Sequence, residues 1–382
     1  MPRILSALNA RLAMCAMIAG SILCATAAPN VAAQRVVHET SAQWKSAKLL
    51  TLTPQATWCK SGDDPGCDFK SIDDALLLPD GGLIASSTVG PINHFSPDGA
   101  FIKALGSSGK GPGEYLFIVH PQLVKEQLVW FDNRQMRSTS VSLSGTPGPI
   151  TLTMLPQTTE NLYAVKGTVT VLDVPVATVG DTVEGVYRTV PASGAPQIFA
   201  KIRTPALFAP GTNFRAASGP FAPRIVAGVG VNGDIAHTNG GRYVVDIFPL
   251  KQTAWRLEVE APLRPVTQKD RDSVEARALK AFRVPNVASL PPIVRAQFDI
   301  KRDWFPSIME IFMSRDGTVW IRPQSTATEA TARWDVFSSS GVRMGRAQLP
   351  LKASVRDGER DWILVVELNG DDVPTVIKYK VQ

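Results

Sequence analysis

The stretch Leu76-Leu77-Leu78-Pro79-Asp80-Gly81-Gly82-Leu83-Ile84 places an acidic-glycine turn between two apolar runs. A second copy of this pattern is Ile311-Phe312-Met313-Ser314-Arg315-Asp316-Gly317-Thr318-Val319-Trp320-Ile321. Each copy precedes another turn that begins at a phenylalanine, Phe95-Ser96-Pro97-Asp98-Gly99 and Phe337-Ser338-Ser339-Ser340-Gly341 respectively. Because such turns close β-hairpins, the two hairpins predict a four-stranded meander, and repeated meanders are typical of a β-propeller.

The same pattern divides the rest of the chain into blades. Five predicted blades lie at about 72–105, 117–155, 162–202, 223–257 and 308–349. The last segment, 362–379, holds too few strands, and a leader strand at 47–53 could complete it. Such closure would leave no exposed edge in the ring. We therefore predict an all-β, six-bladed β-propeller of four-stranded antiparallel blades, closed by strands from both chain ends; five or seven blades stay open alternatives.

One helix is predicted to interrupt the propeller, at about 267–284. Thr267-Gln268-Lys269-Asp270 is an acidic variant of the capping box that starts helices. Val274, Ala278, Leu279 and Phe282 then recur at helical spacing and form one apolar stripe. We expect this inserted helix to pack across one end of the propeller.

The first 33 residues are predicted to be a signal peptide. Arg3 and Arg11 supply positive charge, an apolar run follows at 12–23, and small residues at 25–27 or 31–33 offer cleavage sites. A membrane anchor is the alternative, but the run is short for a bilayer. Residues 34–382 are then one propeller domain that is exported, periplasmic or secreted, with no transmembrane segment after cleavage.

Cys59 and Cys67 are the cysteines that remain after cleavage. An even pair in an exported chain predicts a disulfide, and the Gly and Pro residues between the two cysteines let the short loop bend back. The alternative, half of a metal site, lacks a second Cys or His cluster. Loop closure by this bond is worth roughly 2–3 kcal/mol.

Composition excludes some classes of function. Charged residues make up 19% of the chain and hydrophobic ones 44%, and there are 29 Gly and 29 Pro, which suits a turn-rich folded protein. The net charge of +6 falls to +4 without the two leader arginines, and the basic residues form no dense stripe. We therefore predict no nucleic-acid partner, and a monomer that binds an unidentified protein, peptide or glycan.

The glycine-rich segment Gly106-Ser107-Ser108-Gly109-Lys110-Gly111-Pro112-Gly113-Glu114-Tyr115 suits neither a helix nor a strand. Glu114 can accept hydrogen bonds from backbone N–H groups in such a turn. The segment therefore braces the passage between two blades, or alternatively Lys110 and Glu114 reach into a ligand site at one rim.

This segment resembles the G-x-x-G-x-G-P-G-E-F/Y segment of the bacterial exported six-bladed β-propeller family related to NHL-repeat proteins. In that family a strand and a D-N-x-R turn follow, and Trp130-Phe131-Asp132-Asn133-Arg134 is similar, although its Arg follows Asn directly. Pro291-Pro292-Ile293 and the region from Asp316 to Pro350 resemble the closing part of exported members. The resemblance implies fold and export but no single activity. It adds Asp132 and Arg134 to Lys110 and Glu114 as speculative ligand-binding residues.

No catalytic or cofactor site emerges from the sequence. The glycine spacing of 228–233 matches dinucleotide sites, but Asp234-Ile235-Ala236-His237 continues as strand where a helix is needed. His94, His120 and His237 could converge on a central zinc, yet none of them lie at ligand spacing, so turn or surface positions are predicted for them.

Two classes of function therefore remain open. The first is an extracytoplasmic binding or scaffold propeller that recognises its ligand through rim loops, with no catalytic residue, metal or cofactor. The alternative is a metal-dependent hydrolase or lyase, which would hold a divalent ion in the channel. Its candidate carboxylates are Asp132, Asp173, Asp246 and Glu310, although Asp132 and Asp246 are expected to cap turns or to pair with Arg134 and Arg242.

Overall fold

The computed structural model describes residues 35–153, 155, 159–165, 168–173, 182–190, 195–205, 221–250, 252–298, 302–325 and 329–382. The predicted signal peptide lies outside these residues. Strands make up most of the regular structure among these residues. Among the described residues, no helix has both the length and the apolar character that crossing a bilayer requires.

Short strands follow one another along both halves of the chain. The first half holds β1 (Arg35–Glu39), α1 (Ser41–Lys45), β2 (Leu52–Trp58), β3 (Asp74–Leu77), β4 (Leu83–Ser86), β5 (Ile92–Phe95), β6 (Phe101–Ala104), β7 (Ser107–Ser108), β8 (Glu114–Tyr115), β9 (Ile118–Val124), β10 (Gln127–Asp132), β11 (Arg137–Ser142), β12 (Thr151–Leu152), β13 (Thr159–Val165), β14 (Thr168–Asp173), β15 (Thr182–Val190) and β16 (Gln197–Pro205). The second half holds β17 (Val226–Val229), β18 (Ile235–Thr238), β19 (Val244–Phe248), β20 (Trp255–Val259), α2 (Gln268–Phe282), a 3-10 turn (Val287–Ser289), α3 (Pro292–Phe298), β21 (Ile308–Met313), β22 (Val319–Pro323), β23 (Thr331–Phe337), β24 (Arg343–Pro350), β25 (Ser354–Glu359), β26 (Trp362–Leu368) and β27 (Pro374–Val381).

Consecutive strands pair as antiparallel meanders. We number these sheets along the chain: sheet 1 is β3–β6, sheet 2 is β9–β12, sheet 3 is β13–β16, sheet 4 is β17–β20 with β1, sheet 5 is β21–β24, and sheet 6 is β25–β27 with β2. The short strands β7 and β8 form a separate parallel pair. In the hairpin of the deciding stretch, Gly81 has φ 89°, and Asp80 accepts a hydrogen bond from the Gly82 N–H at 2.9 Å. This is the turn chemistry that the sequence indicates.

Neighbouring sheets bury one core cluster after another. The first strands of the sheets contact each other in turn: β3 contacts β9 and β25, β21 contacts β25 and β17, and β9 contacts β13. Trp130, Trp320 and Trp334 are fully buried in these clusters, as their strand positions predict. This arrangement confirms the all-β propeller class.

The predicted uniform set of six four-stranded blades is not confirmed. Only five of the sheets consist of four antiparallel strands. Sheet 4 has a fifth strand, because β1 pairs with β20 in parallel. The N-terminal strand that joins sheet 6 is Leu52–Trp58, paired with β27, and it lies later than the predicted 47–53. Leu49 makes only an isolated bridge to Arg346 in sheet 5.

The helical content is also larger than predicted. α2 spans Gln268–Phe282 and begins with the expected capping box of Thr267 and Asp270. It is not the only helix, since α1, α3 and a 3-10 turn are present as well. No residue of α2 is fully buried. Its Arg271 donates to the backbone of Arg302 at 2.7 Å.

The predicted disulfide between Cys59 and Cys67 is present, with 5.2 Å between the two Cα atoms. Both cysteines are buried beside Trp58 in the core between sheets 6 and 1. The backbone oxygen of Cys59 accepts a hydrogen bond from the Thr375 hydroxyl at 3.0 Å. The disulfide therefore fixes the chain where β2 leaves sheet 6.

Candidate binding site in the central cavity

The first strands of sheets 1, 2, 4, 5 and 6 surround a cavity of about 270 Å³. Polar side chains reach it from four of these strands, and apolar side chains complete the wall. The polar residues that line it are Asp74, His120, Gln122, Glu310, Arg356 and Asp357. The apolar ones include Leu76, Val229, Ile311, Phe312, Met313 and Val355.

Irregular strand pairing accompanies these polar residues. In β9, Val119 pairs with Phe131 and Gln122 pairs with Val129, so that His120 and Pro121 lie opposite one residue. The register also shifts beside Glu310 in β21 and at Arg356 in β25. A further shift occurs in β13, between Thr159 and Asn161. β-Bulges redirect side chains and are over-represented next to active sites. In this protein register shifts occur in four of the innermost strands and also in four of the outermost strands, β2, β6, β16 and β24.

His120 is held in a strained backbone conformation. Its φ is 43°, which is unusual for a residue other than glycine and is further disfavoured before a proline. Its Nδ1 lies 3.6 Å from Oδ1 of Asp74 in the neighbouring sheet. Strain of this kind persists only where the surrounding structure imposes it, and it clusters at functional sites. His120 is exposed, as predicted, but it lies within a strand that lines the cavity and not in a turn.

Glu310 is flanked by two guanidinium groups. Arg322 Nη1 lies 3.3 Å from Oε2 of Glu310. Burial raises the pKa of Glu310, against the opposing charges of Arg356 and Arg322. Of the four carboxylates predicted for a channel metal, only Glu310 is shown to line the cavity.

Asp357 lines the cavity and also joins neighbouring sheets through its carboxylate. Arg315 binds both of its carboxylate oxygens, and the Leu77 N–H donates to Oδ2 at 2.8 Å. Arg315 also donates to the backbone oxygen of Leu77. Burial raises the pKa of Asp357, although Arg315 opposes the shift. This group joins sheets 1, 5 and 6.

The other candidate metal carboxylates lie elsewhere. Asp246 forms a 2.7 Å ion pair with Arg256 on the adjacent strand, and not with the predicted Arg242. The side chain of Asp173 lies outside the described part of the chain. Within the described ranges, no group of three or more His, Cys, Asp or Glu residues could hold a metal ion.

His94 and His237 are buried, contrary to the predicted turn or surface positions, although the strand that contains His237 was expected. His94 lies in β5 and His237 in β18, and both are nearly inaccessible. His237 contacts Tyr187 of sheet 3, and neither histidine lines the central cavity. The alternation of each strand determines these positions, but the sequence does not say which face meets which neighbour.

The predicted rim residues Glu114 and Asp132 use their carboxylates to hold the glycine-rich connector. Glu114 accepts from the Gly111 N–H at 2.6 Å. Asp132 is fully buried and accepts from the backbone of Leu116, at 2.6 Å, and of Arg134, at 2.9 Å. Lys110 and Arg134 are exposed. None of the four lines the central cavity, and a role for them in ligand binding stays a prediction.

Arg137, which was not predicted as a functional residue, also holds this connector. Arg137 is buried, and its guanidinium donates to the backbone oxygens of Lys110, Gly111 and Glu114 at 2.6–2.9 Å. A single arginine thus supplies hydrogen-bond donors to three backbone carbonyls of the connector. Little in the sequence indicates this role, because Arg137 is the first residue of a mostly polar strand.

We expect Glu114→Ala to lower the free energy of unfolding by about 1–2 kcal/mol, because the Gly111 N–H loses a charged acceptor. Chemical denaturation measures this change. Lys110→Ala is the matched comparison, and it should leave stability nearly unchanged because its side chain is exposed. Equal stability of the two variants would argue against the bracing role.

The comparisons with known proteins support the fold. No protein-family model matches the sequence, and no curated protein matches it significantly. A Bacteroides fragilis protein predicted to be exported superposes with a TM-score of 0.52 at 10% identity, over 92% of this chain and 100% of that one. A member of the DUF4221 family from Bacteroides vulgatus gives a TM-score of 0.52 at 8% identity, over 87% and 98% of the two chains. At these identities the likeness concerns the fold alone.

Proposed function

We propose that the protein is an extracytoplasmic binding propeller whose ligand site is the central cavity. The observation that carries this proposal is that three bulges of the innermost strands lie at or beside polar residues of the cavity. A cavity that needed only to be filled would be lined by apolar side chains on regular strands. Strained His120 and half-buried Glu310 instead keep polar atoms at its surface.

Export and ring architecture are part of the proposal. The leader at 1–33, the disulfide and the neighbour predicted to be exported all favour a periplasmic or secreted location. We propose that sheet 4, with its extra strand, serves as a blade beside the five four-stranded sheets, which would make a ring of six. The resemblance to the six-bladed family related to NHL-repeat proteins supports this number of blades. We propose that the mature chain acts as a monomer.

Ligand capture should depend on Arg356, which lies at a bulge and lines the cavity. Native mass spectrometry of the protein, purified from the extracytoplasmic fraction, should detect a co-purifying small molecule. Arg356→Gln should reduce its occupancy by about 10- to 100-fold, since a charged hydrogen bond is lost. Arg360→Gln is the matched control, because Arg360 is exposed at the turn after the same strand and lines none of the cavity.

Two outcomes would redirect the proposal. Loss of the ligand in Lys110→Ala, with retention in Arg356→Gln, would move the site to the glycine-rich rim. Elemental analysis of the same samples addresses the metal-dependent hydrolase or lyase. A stoichiometric divalent ion, together with lactonase or lyase activity, would replace the binding function by that alternative.

A further inference from the structure

We infer that the central cavity takes a neutral, hydroxyl-rich ligand of about one sugar ring, such as the end residue of a glycan. The inference rests on the proposed function, since it names the ligand class of that same site. It is argued from the charge balance, the hydrogen-bonding groups and the shape of the cavity wall.

The charges around the cavity compensate each other. Apart from His120, the charged groups that line it or pair with its lining, among the described residues, are three carboxylates and three guanidiniums: Asp74, Glu310, Asp357, Arg315, Arg322 and Arg356. Their formal charges sum to zero. A buried anionic or cationic ligand needs a surplus of the opposite charge to offset its desolvation. These six groups offer no such surplus, and the lining therefore favours a neutral ligand.

The lining is nevertheless rich in hydrogen-bonding groups. Glu310 and Asp74 present carboxylate oxygens, which only accept when ionised, and Arg356 presents only donors. The Nε of Arg356 is buried and has no hydrogen-bond partner in the part of the chain that the structure describes, which is costly unless a ligand or water accepts from it. A hydroxyl group donates to a carboxylate and accepts from a guanidinium at once. Several hydroxyls on one ring suit a wall on which both kinds of group alternate.

Apolar side chains form another part of the wall. Phe312, Leu76 and Val355 line the same cavity as the polar residues. A pyranose has the matching character, because its hydroxyls project from the ring edge while its C–H groups form an apolar face. The volume of about 270 Å³ lies below the roughly 300–1,000 Å³ typical of sites for drug-sized ligands. One ring therefore fits better than an extended peptide.

Isothermal titration calorimetry with a matched set of sugars tests the inference. The probes are the neutral sugars galactose, glucose, mannose and N-acetylglucosamine, with galacturonic acid and galactosamine as charged analogues. We expect at least one neutral sugar to bind, with a dissociation constant at least about tenfold lower than those of the charged analogues. Arg356→Gln and Glu310→Gln should each weaken that binding by about tenfold or more, whereas Arg360→Gln should not. Using two cavity variants keeps the test decisive if one of them fails to fold.

The outcomes separate the ligand class from the site. A charged analogue that binds as tightly as the neutral sugar overturns the inference, and so does sugar binding that survives both cavity substitutions. If no sugar binds but a co-purified molecule, such as a peptide, is lost in Arg356→Gln, the ligand class is wrong and the proposed function stands. If no molecule depends on Arg356, both proposals fall.

Discussion

Asp335→Asn is expected to lower the free energy of unfolding by about 3–5 kcal/mol, as is typical when one partner of a buried ion pair is removed. Asp335 lies in β23 and is 0% exposed. Its Oδ1 accepts from Arg343 at 3.0 Å and from Arg346 at 3.2 Å, and Arg333 lies 3.9 Å away. Without this carboxylate, three largely buried guanidiniums lose a shared counter-charge.

The other oxygen of Asp335 joins separate parts of the chain. Oδ2 accepts from the Tyr243 hydroxyl, in sheet 4, at 2.9 Å and from the Trp44 indole, in α1, at 3.3 Å. Burial, together with the Asp335 charge, raises the pKa of Tyr243 well above its ordinary value, so the phenol stays a donor. Arg343 also pairs with Glu39 in β1. The substitution should therefore loosen the N-terminal segment as well as the interface of sheets 4 and 5.

Chemical denaturation at neutral pH measures the effect. Asp372→Asn is the matched control, because Asp372 pairs with Lys352 at 3.0 Å while both side chains are largely exposed. Exposed pairs contribute little to stability, so this variant should behave like the wild type. Similar losses in both variants would show that the buried cluster is not a major source of stability.

The fold was largely readable from hairpin chemistry. The turns at Gly81 and Gly317, each flanked by apolar runs, placed sheets 1 and 5 almost to the residue, because a tight turn fixes where both of its strands begin and end. Leu49 illustrates the limit. The apolar run around Leu49 suggests a strand, but a strand also needs a pairing partner. β27 pairs with Leu52–Trp58 instead.

The candidate site was much less predictable. A bulge depends on one residue more in a strand than in its partner, and no residue type marks it reliably. His120 was therefore predicted to be a turn or surface residue and Arg356 was not singled out, although both line the cavity. Arg137 and Asp335 were missed for a related reason. Their partners lie on connectors and sheets that become neighbours only after the ring forms.

Mild acid is expected to destabilise the protein through His237. The residue is 2% exposed, and burial lowers its pKa to about 4 from an ordinary value of 6.5, although the charge of Asp246 opposes the shift. As the pH falls below 6.5, the unfolded chain takes up a proton that the folded protein does not accept until about pH 4. Stability is therefore fully present above pH 6.5 and is lost as the pH falls towards 4.

This single residue should cost about 2 kcal/mol between pH 8 and pH 5, since each pKa unit corresponds to about 1.4 kcal/mol. Denaturation curves at the two pH values measure the loss. His237→Asn should flatten the dependence, because an amide can replace the contact of Nδ1 with the Tyr187 hydroxyl, 2.8 Å in the wild type, and does not titrate. His38→Asn serves as the control, since His38 lies at the surface beside Glu260. Burial also lowers the pKa of His94, so a smaller acid dependence of the same sign should remain in His237→Asn. If His237→Asn keeps the full dependence of stability on pH, protons taken up elsewhere in the chain must cause it. His237 is then not held neutral by the interface of sheets 3 and 4.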